Sequence, residues 1–203
     1  MGRPETDVAR RLAMGLLGNG LSQTNQNEDA LSVREALLAT QLRLGAPEED
    51  VFVTQSNLAS TYRELGLVEK ASNMLRNVYS GRVRLKGEED QETIIAALNY
   101  ASSLGQLRRF EEAKSLLRKI IRVTPRILGE THEITLRMRW IYANVLYMDT
   151  SATPDDLREA VTKLEDTART AQRVFGRAHP MVVELERSLR GSREALSARG
   201  GNG

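Results

Sequence analysis

The chain has 203 residues, of which 40% are hydrophobic, 28% are charged and only 4% are aromatic. This balance argues against a disordered chain, and the few aromatics favour helices packed through Leu and Ala over one large globular core. Lys and Arg number 29 against 27 Asp and Glu, so the small positive charge gives little reason to expect a nucleic-acid partner.

The absence of cysteine excludes disulfide bonds and cysteine-based metal sites. No apolar run reaches the roughly 18 residues that a transmembrane helix needs. The segment 1–11 is charged and mixed, without the apolar centre of a secretory signal. We therefore expect an intracellular, cytoplasmic protein.

A repeat of 42 residues is the strongest pattern in the sequence. Gly45, Gly87 and Gly129 each follow a helical run at this interval, and Gly176 comes after 47 residues. The five extra residues fit a lengthened turn at 148–155. Three further columns keep the same intervals, namely Ala59, Ala101 and Ala143; Ala71, Ala113 and Ala160; and Leu75, Leu117 and Leu164. Shared intervals in independent columns indicate a repeat protein.

Each repeat reads as two amphipathic helices with apolar residues at helical spacing. The predicted helices are 5–17, 27–44, 50–65, 68–86, 91–107, 110–128, 132–148, 154–175 and 179–198. The four interval glycines are expected to end helices with positive φ, and Thr153 to begin one as an N-cap. We predict one repeat domain over 1–199 and a flexible tail at 200–203. Its four repeats cover approximately 5–45, 46–87, 88–129 and 130–176, and a capping helix follows at 179–198.

Several short motifs recur at fixed places in these repeats. They are Asn57-Leu58-Ala59 with Tyr62, Gly66 and Ala71; Asn99-Tyr100-Ala101 with Phe110 and Ala113; Leu128-Gly129 with His132; and Phe175-Gly176 with His179-Pro180. Over about residues 28–190 this pattern resembles the tetratricopeptide repeats of kinesin light chains. The resemblance implies an all-α, right-handed superhelical solenoid of about four helix pairs plus a C-terminal capping helix.

The chain also departs from that family's pattern. Glu48 and Asp90 replace the corner histidine, and Arg108 stands where the turn glycine would be. The long heptad segment by which such light chains join their motor subunit is not in the sequence. We therefore expect a relative of the repeat domain and not a working motor light chain.

Candidate catalytic and metal-binding residues have simpler structural interpretations. His132 and His179 occupy the same corner of successive repeats, where they would serve as turn and cap residues. The acidic runs 48–50 and 88–90 precede helix starts, where negative charge is favourable. The basic cluster Arg118, Lys119, Arg122 and Arg126 lacks interleaved aromatics and reads as a solvated face. We therefore predict no enzymatic activity, no cofactor, no metal and no nucleic-acid partner.

The resemblance points instead to a groove. In this repeat class the first helix of each pair lines the concave surface, and asparagines there hold the backbone of an extended peptide. The residues at the matching places are Asn57, Ser60, Asn99, Ser102, Arg137, Trp140 and Asn144. The alternative is that Trp140 packs between repeats and that the asparagines bond to neighbouring helices.

The predicted function is a protein–protein interaction module that binds a peptide or helix of a partner protein in the concave groove. The alternative is a structural subunit that packs through its convex face or end helices, within a larger complex or a homo-oligomer. The sequence leaves the oligomeric state open.

Overall fold

The computed structural model describes the backbone of residues 4–200 and the side chains of residues 8–199. Within these residues it contains ten helices and no strand. The helices are α1 (Pro4–Gln23), α2 (Asn27–Arg43), α3 (Glu48–Glu64), α4 (Val68–Lys86), α5 (Gln91–Gln106), α6 (Phe110–Ile121), α7 (Thr124–Leu128), α8 (Glu133–Met148), α9 (Pro154–Phe175) and α10 (Pro180–Gly200). The prediction of an all-helical chain is confirmed, and none of the described helices is long and apolar enough to cross a membrane.

The chain divides into two compact units, Met1–Gly87 and Glu88–Gly203. The division coincides with the predicted boundary between the second and third repeats. In the first unit α1 packs on α2, α2 on α3, and α3 on α4. In the second unit α5 packs on α6, α6 on α8, α8 on α9, and α10 on both α8 and α9. The first residue of the predicted tail, Gly200, is the last residue of α10, and residues 201–203 lie outside the described part of the chain. The predicted single repeat domain over 1–199 stays a prediction.

Two helices differ from the sequence prediction. α1 runs to Gln23 and does not end near residue 17, because packing on α2 outweighs the weak helix propensity of its glycines. The predicted helix 110–128 breaks into α6 and α7. Pro125 lacks an N–H to continue the helical ladder, and the Thr124 hydroxyl donates to the carbonyl of Ile120 at 2.8 Å across the break.

The three repeat columns form the cores of both units. All six alanines of the two alanine columns are completely buried, and so are Leu117 and Leu164, with Leu75 nearly so. A methyl group at these places lets the facing helix approach closely, as ridges-into-grooves packing requires. The columns are therefore packing positions.

The corners between helices follow the predicted glycines. Gly45, Gly87, Gly129 and Gly176 have φ of 63°, 83°, 97° and 83°. These angles favour glycine because a Cβ is strained there. Arg108, which replaces the expected turn glycine, adopts the same left-handed region at φ 59°.

The lengthened turn after α8 is fixed by a buried ion pair. Lys114 Nζ lies 3.0 Å from Asp149 Oδ2, and Asp149 also accepts the amide and hydroxyl of Ser151. Burial alone would raise the pKa of Asp149, but the hydrogen bonds from Ser151 and Lys114 outweigh it and leave that pKa below its usual value. Arg199 of α10 donates to the carbonyls of Ala152 at 2.7 Å and Asp149 at 3.3 Å, which ties α10 to the same turn.

Thr153 begins α9 with a capping box. Its hydroxyl accepts the amide of Asp156 at 3.2 Å, while the Asp156 carboxylate accepts the amide of Thr153 at 2.9 Å. The predicted N-cap is therefore confirmed, and two otherwise unpaired amides at the start of α9 are satisfied.

The contact between α3 and α4 generates a stability prediction at Gly81. An added Cβ would overlap Phe52 Cζ and lie 2.7 Å from its Cε1. We expect Gly81→Ala to lower the free energy of unfolding by about 1–3 kcal/mol, because overpacking outweighs the gain in helix propensity. Gly20→Ala is the matched control, since its added Cβ would meet no described atom within 4 Å beyond its chain neighbours and the backbone of its own helix. In urea denaturation that control should be as stable as the parent or more so; equal stabilities for both variants would contradict the packing account.

The Lys114–Asp149 pair generates a second prediction. Asp149→Asn should lower the free energy of unfolding at pH 7 by about 2–3 kcal/mol, because Lys114 would keep the exposed Glu111 as its one ionic partner among the described residues. The pKa of Asp149 is depressed, so the pair contributes above the ordinary Asp pKa and its contribution is lost as the pH falls below about 4.

Urea denaturation at pH 7 and pH 3 measures this effect. The difference between parent and variant should shrink at pH 3. Asp166→Asn, whose carboxylate pairs with Arg169 on the surface, is the control and should change stability by less than about 0.5 kcal/mol. A difference between parent and Asp149→Asn that is the same at both pH values would contradict the role of the ion pair.

Candidate functional site

The first predicted groove residues lie on α3. Asn57 is half-buried and Ser60 is exposed, on either side of the buried Leu58 and Ala59. The Asn57 side-chain amide makes no hydrogen bond to another described residue. Its backbone carbonyl accepts Nη1 of Arg34 at 3.0 Å. The fold thus leaves the donors and the acceptor of this amide available at the surface of α3.

The equivalent face of α5 repeats this arrangement. Asn99 and Ser102 are both half-buried, on either side of the half-buried Tyr100 and the buried Ala101. In the described part of the chain the Asn99 amide likewise has no hydrogen-bond partner. Neither amide bonds to a neighbouring helix among the described residues, and the role of both asparagines stays a prediction.

The predicted residues of α8 share one helical face. Arg137 is exposed, and no carboxylate of the described residues forms an ion pair with it. Trp140 is half-buried and its Nε1 donates to the Ser188 hydroxyl of α10 at 2.8 Å. The buried Oδ1 of Asn144 has no hydrogen-bond partner within residues 8–199. The Trp140 indole is therefore joined to α10 by its hydrogen bond to Ser188.

The structure brings these residues together in two places. α5 packs against α8, so Asn99 and Ser102 belong to the same unit as Arg137, Trp140 and Asn144. Asn57 and Ser60 belong to the first unit. The three helices that carry the seven residues are each the first of a pair.

The two histidines cap helices. Nδ1 of His132 accepts the amide of Ile134 at 3.2 Å, and Nδ1 of His179 accepts the amide of Met181 at 3.2 Å. The His179 ring also stacks on Phe175 with centroids 4.7 Å apart. These contacts confirm the predicted turn and cap roles.

The acidic runs are engaged at helix starts and across helices. Asp90 Oδ2 accepts the amide of Thr93 at 2.9 Å and so caps α5. Glu48 and Glu49 form ion pairs with Arg84 at 2.6 Å and Lys86 at 2.5 Å. Their charges therefore cap one helix and join α3 to α4.

The basic cluster lies on the exposed side of α6 and in the residues that follow it. All four of its members are exposed. Lys119 pairs with Glu88, and Arg118 Nε donates to the Tyr142 hydroxyl at 3.2 Å. These contacts fit the predicted solvated face.

One feature of the first unit escaped the sequence analysis. A cavity of about 340 Å³ lies between α1, α2 and α3, with the guanidinium of Arg34 in its wall. The signal was present in the sequence. If Ala30 is aligned with Ala71, one residue short of the usual interval, Arg34 falls in the column of Leu75.

Comparison with known proteins agrees with the geometry. Residues 50–126 match the family model described as tetratricopeptide repeat. No curated protein sequence matches the chain.

Similar solved structures extend this likeness. Two crystal structures of a Podosopora anserina protein, assigned as a kinesin light chain with nearly identical TPR-like repeats, are each 19% identical and cover 99% of this chain. The alignments cover 91% and 92% of those chains, with TM-scores of 0.77 and 0.75. BtubC (BKLC) from P. vanneervenii is 18% identical, with 91% of this chain and 72% of that chain covered and a TM-score of 0.74.

At these identities the likeness concerns the fold. The predicted fold class, all-α with tetratricopeptide-type helix pairs, is confirmed. We conclude that residues 50–126 carry the tetratricopeptide-repeat pattern and that the fold of the chain is similar to that of kinesin light chain-like repeat proteins.

Proposed function

We propose that the chain binds a peptide or helix of a partner protein through the first helices of its pairs. In the first unit the binding residues would be Asn57 and Ser60 of α3. In the second unit they would be those of α5 and α8. This assignment matches the concave-groove residues predicted from the sequence, and it treats the protein as a scaffold without catalytic activity.

The observation that carries the proposal is that the side-chain amides of Asn57 and Asn99 lack hydrogen-bond partners among the described residues. The two side chains stand 42 residues apart at equivalent places, both half-buried, and neither amide bonds to another described residue. A primary amide can donate to a peptide carbonyl and accept a peptide N–H at once. In either unit such a group would hold a partner's backbone without reading its side chains.

The residues of α8 would add selectivity. The exposed Arg137 has no ion pair within the described structure, so its guanidinium could hold a carboxylate of the partner through two parallel hydrogen bonds. Trp140 would offer a ring face, since its N–H is already donated to Ser188. Asn144 would contribute through its amide nitrogen, because its Oδ1 is buried.

We further propose a protein and not a nucleic acid as the partner, met inside the cell in the cytoplasm. The basic cluster of α6 carries Lys119 and Arg118, which are already in contact with Glu88 and Tyr142. No aromatic side chain lies within this cluster to stack on bases, as single-stranded nucleic acids require.

A second candidate function is assembly through an end helix. α1 exposes three leucines: Leu12 at 65%, Leu16 at 73% and Leu17 at 54%. A cluster of this kind can mark an interface with another chain. Analytical ultracentrifugation separates the candidates, since a stable homodimer that a Leu12→Ser and Leu16→Ser double variant dissociates would favour assembly.

The peptide proposal predicts the effect of a double substitution. Asn57→Ala with Asn99→Ala should weaken binding of a peptide selected on the purified protein by about 10-fold or more, because each lost amide contributes about 0.5–1.5 kcal/mol. Helical content and the unfolding midpoint should not change. Fluorescence anisotropy measures the affinity and circular dichroism the fold.

The matched control is Asn73→Ala with Asn77→Ala. Both asparagines are exposed on α4, a second helix of its pair. This control should bind the selected peptide as the parent does. Equal affinity of the Asn57 and Asn99 double variant and the parent would reject the proposed binding residues.

A further inference from the structure

Arg34 occupies a place that the other helix pairs give to a leucine. Ala30 and Leu37 of α2 are buried, and so are Ala71 and Val78 of α4, which lie 41 residues later in the chain. At the same interval of 41 residues, Arg34 of α2 is equivalent to Leu75 of α4. The column continues in the second unit with Leu117 and Leu164, both fully buried.

The guanidinium of Arg34 is buried among neutral groups. Its residue is 5% exposed, and Nη1 donates to the Asn57 carbonyl at 3.0 Å and to the Thr61 hydroxyl, while Nη2 donates to Asn19 Oδ1 at 3.1 Å. No carboxylate of the described residues pairs with it. Burial lowers the pKa of Arg34, since the charged form loses solvation without gaining a counter-ion.

Part of the binding capacity of Arg34 is unused. A guanidinium has five N–H donors, of which these contacts occupy three. Gly18 of α1 leaves room for the side chain, since an added Cβ there would lie 3.1 Å from Arg34 Cγ. The site is therefore built around an arginine whose charge no carboxylate of residues 8–199 neutralises.

The cavity beside Arg34 has the character of a small-ligand site. Its volume of about 340 Å³ falls in the usual range for such sites, and its walls include the apolar side chains of Leu12, Leu16 and Val53. Arg11 also lines it, with a buried Nε that has no partner among the described residues. Asp50 lines it as well, so two positive charges face one negative charge.

We propose that this cavity binds a small apolar carboxylic acid as its carboxylate. The carboxylate would accept hydrogen bonds from the free donors of Arg34 and from Arg11, and the hydrocarbon would cover Leu12, Leu16 and Val53. Arginine is suited to this role because its planar fork matches a carboxylate. One added negative charge balances the excess positive charge of the lining, and burying the hydrocarbon removes exposed apolar surface from water.

Octanoate is the probe, and octanamide, which has nearly the same size without the charge, is its matched control. Isothermal titration calorimetry on the full chain should give a Kd of about 0.1–1 mM for octanoate. Octanamide should bind at least about 10-fold more weakly, because it cannot neutralise Arg34. Equal binding of the two probes, or no octanoate binding, would overturn the proposal.

Arg34→Leu tests the residue itself. It installs the side chain that the other helix pairs carry, so the variant should fold with an equal or higher Tm and lose at least about 10-fold in octanoate affinity. A variant that binds octanoate as the parent does would overturn the proposal. The proposal would also be overturned if the parent bound a selected peptide but not octanoate. That outcome would leave the proposed peptide-binding function intact.

A second variant keeps the test independent of the fold of α2. Leu16→Glu places a charge on an exposed wall of the cavity and should also weaken octanoate binding by at least about 10-fold. Leu42→Glu, at a residue 60% exposed that does not line the cavity, is its control and should leave the affinity unchanged. Equal effects of these two variants would show unspecific binding and overturn the proposal.

Discussion

Close approach of paired helices at the buried alanine columns is the contact on which the rest of the structure depends. Ala71 and Ala113 present only a methyl group to the facing helix, and both are completely buried. A larger side chain there would separate the pair and open the core behind it. With alanine in these columns, the helices of each unit pack closely enough to form a core with few aromatic side chains. The corner glycines then serve only to reverse the direction of the chain between helices.

The same packing explains why the asparagines remain available. Asn57 immediately precedes the buried Leu58-Ala59 pair, and Asn99 precedes the half-buried Tyr100 and the buried Ala101, so both asparagine side chains lie beside the core and not within it. A helix that buries one face against its pair and its neighbour keeps the other face for solvent. Each unit therefore presents the same chemical group at an equivalent place on the first helix of a pair.

Structural features that follow from repeat spacing and local backbone geometry could be predicted from the sequence. Features that depend on tertiary contacts could not. The columns, the corner glycines and the histidine caps all follow from spacing and local backbone needs. The length of α1 depends on its contact with α2, which overrides the glycine propensity. The position of Arg34 was not predicted because equivalent positions of α2 and α4 lie 41 residues apart. The usual interval of 42, counted back from Leu75, reaches residue 33 and not Arg34. The availability of the asparagine amides depends on where neighbouring side chains lie, which no spacing reveals.

The most direct measurement of the central claim is an NMR titration that follows the side-chain amide resonances of asparagine while a selected peptide is added. The account predicts that the amide signals of Asn57 and of Asn99 each shift and saturate as the peptide is added. Those of Asn73 and Asn77 on α4 should stay in place. Shifts at Asn73 and Asn77 with unchanged Asn57 and Asn99 would show that the partner uses the other helices, and the account would be wrong.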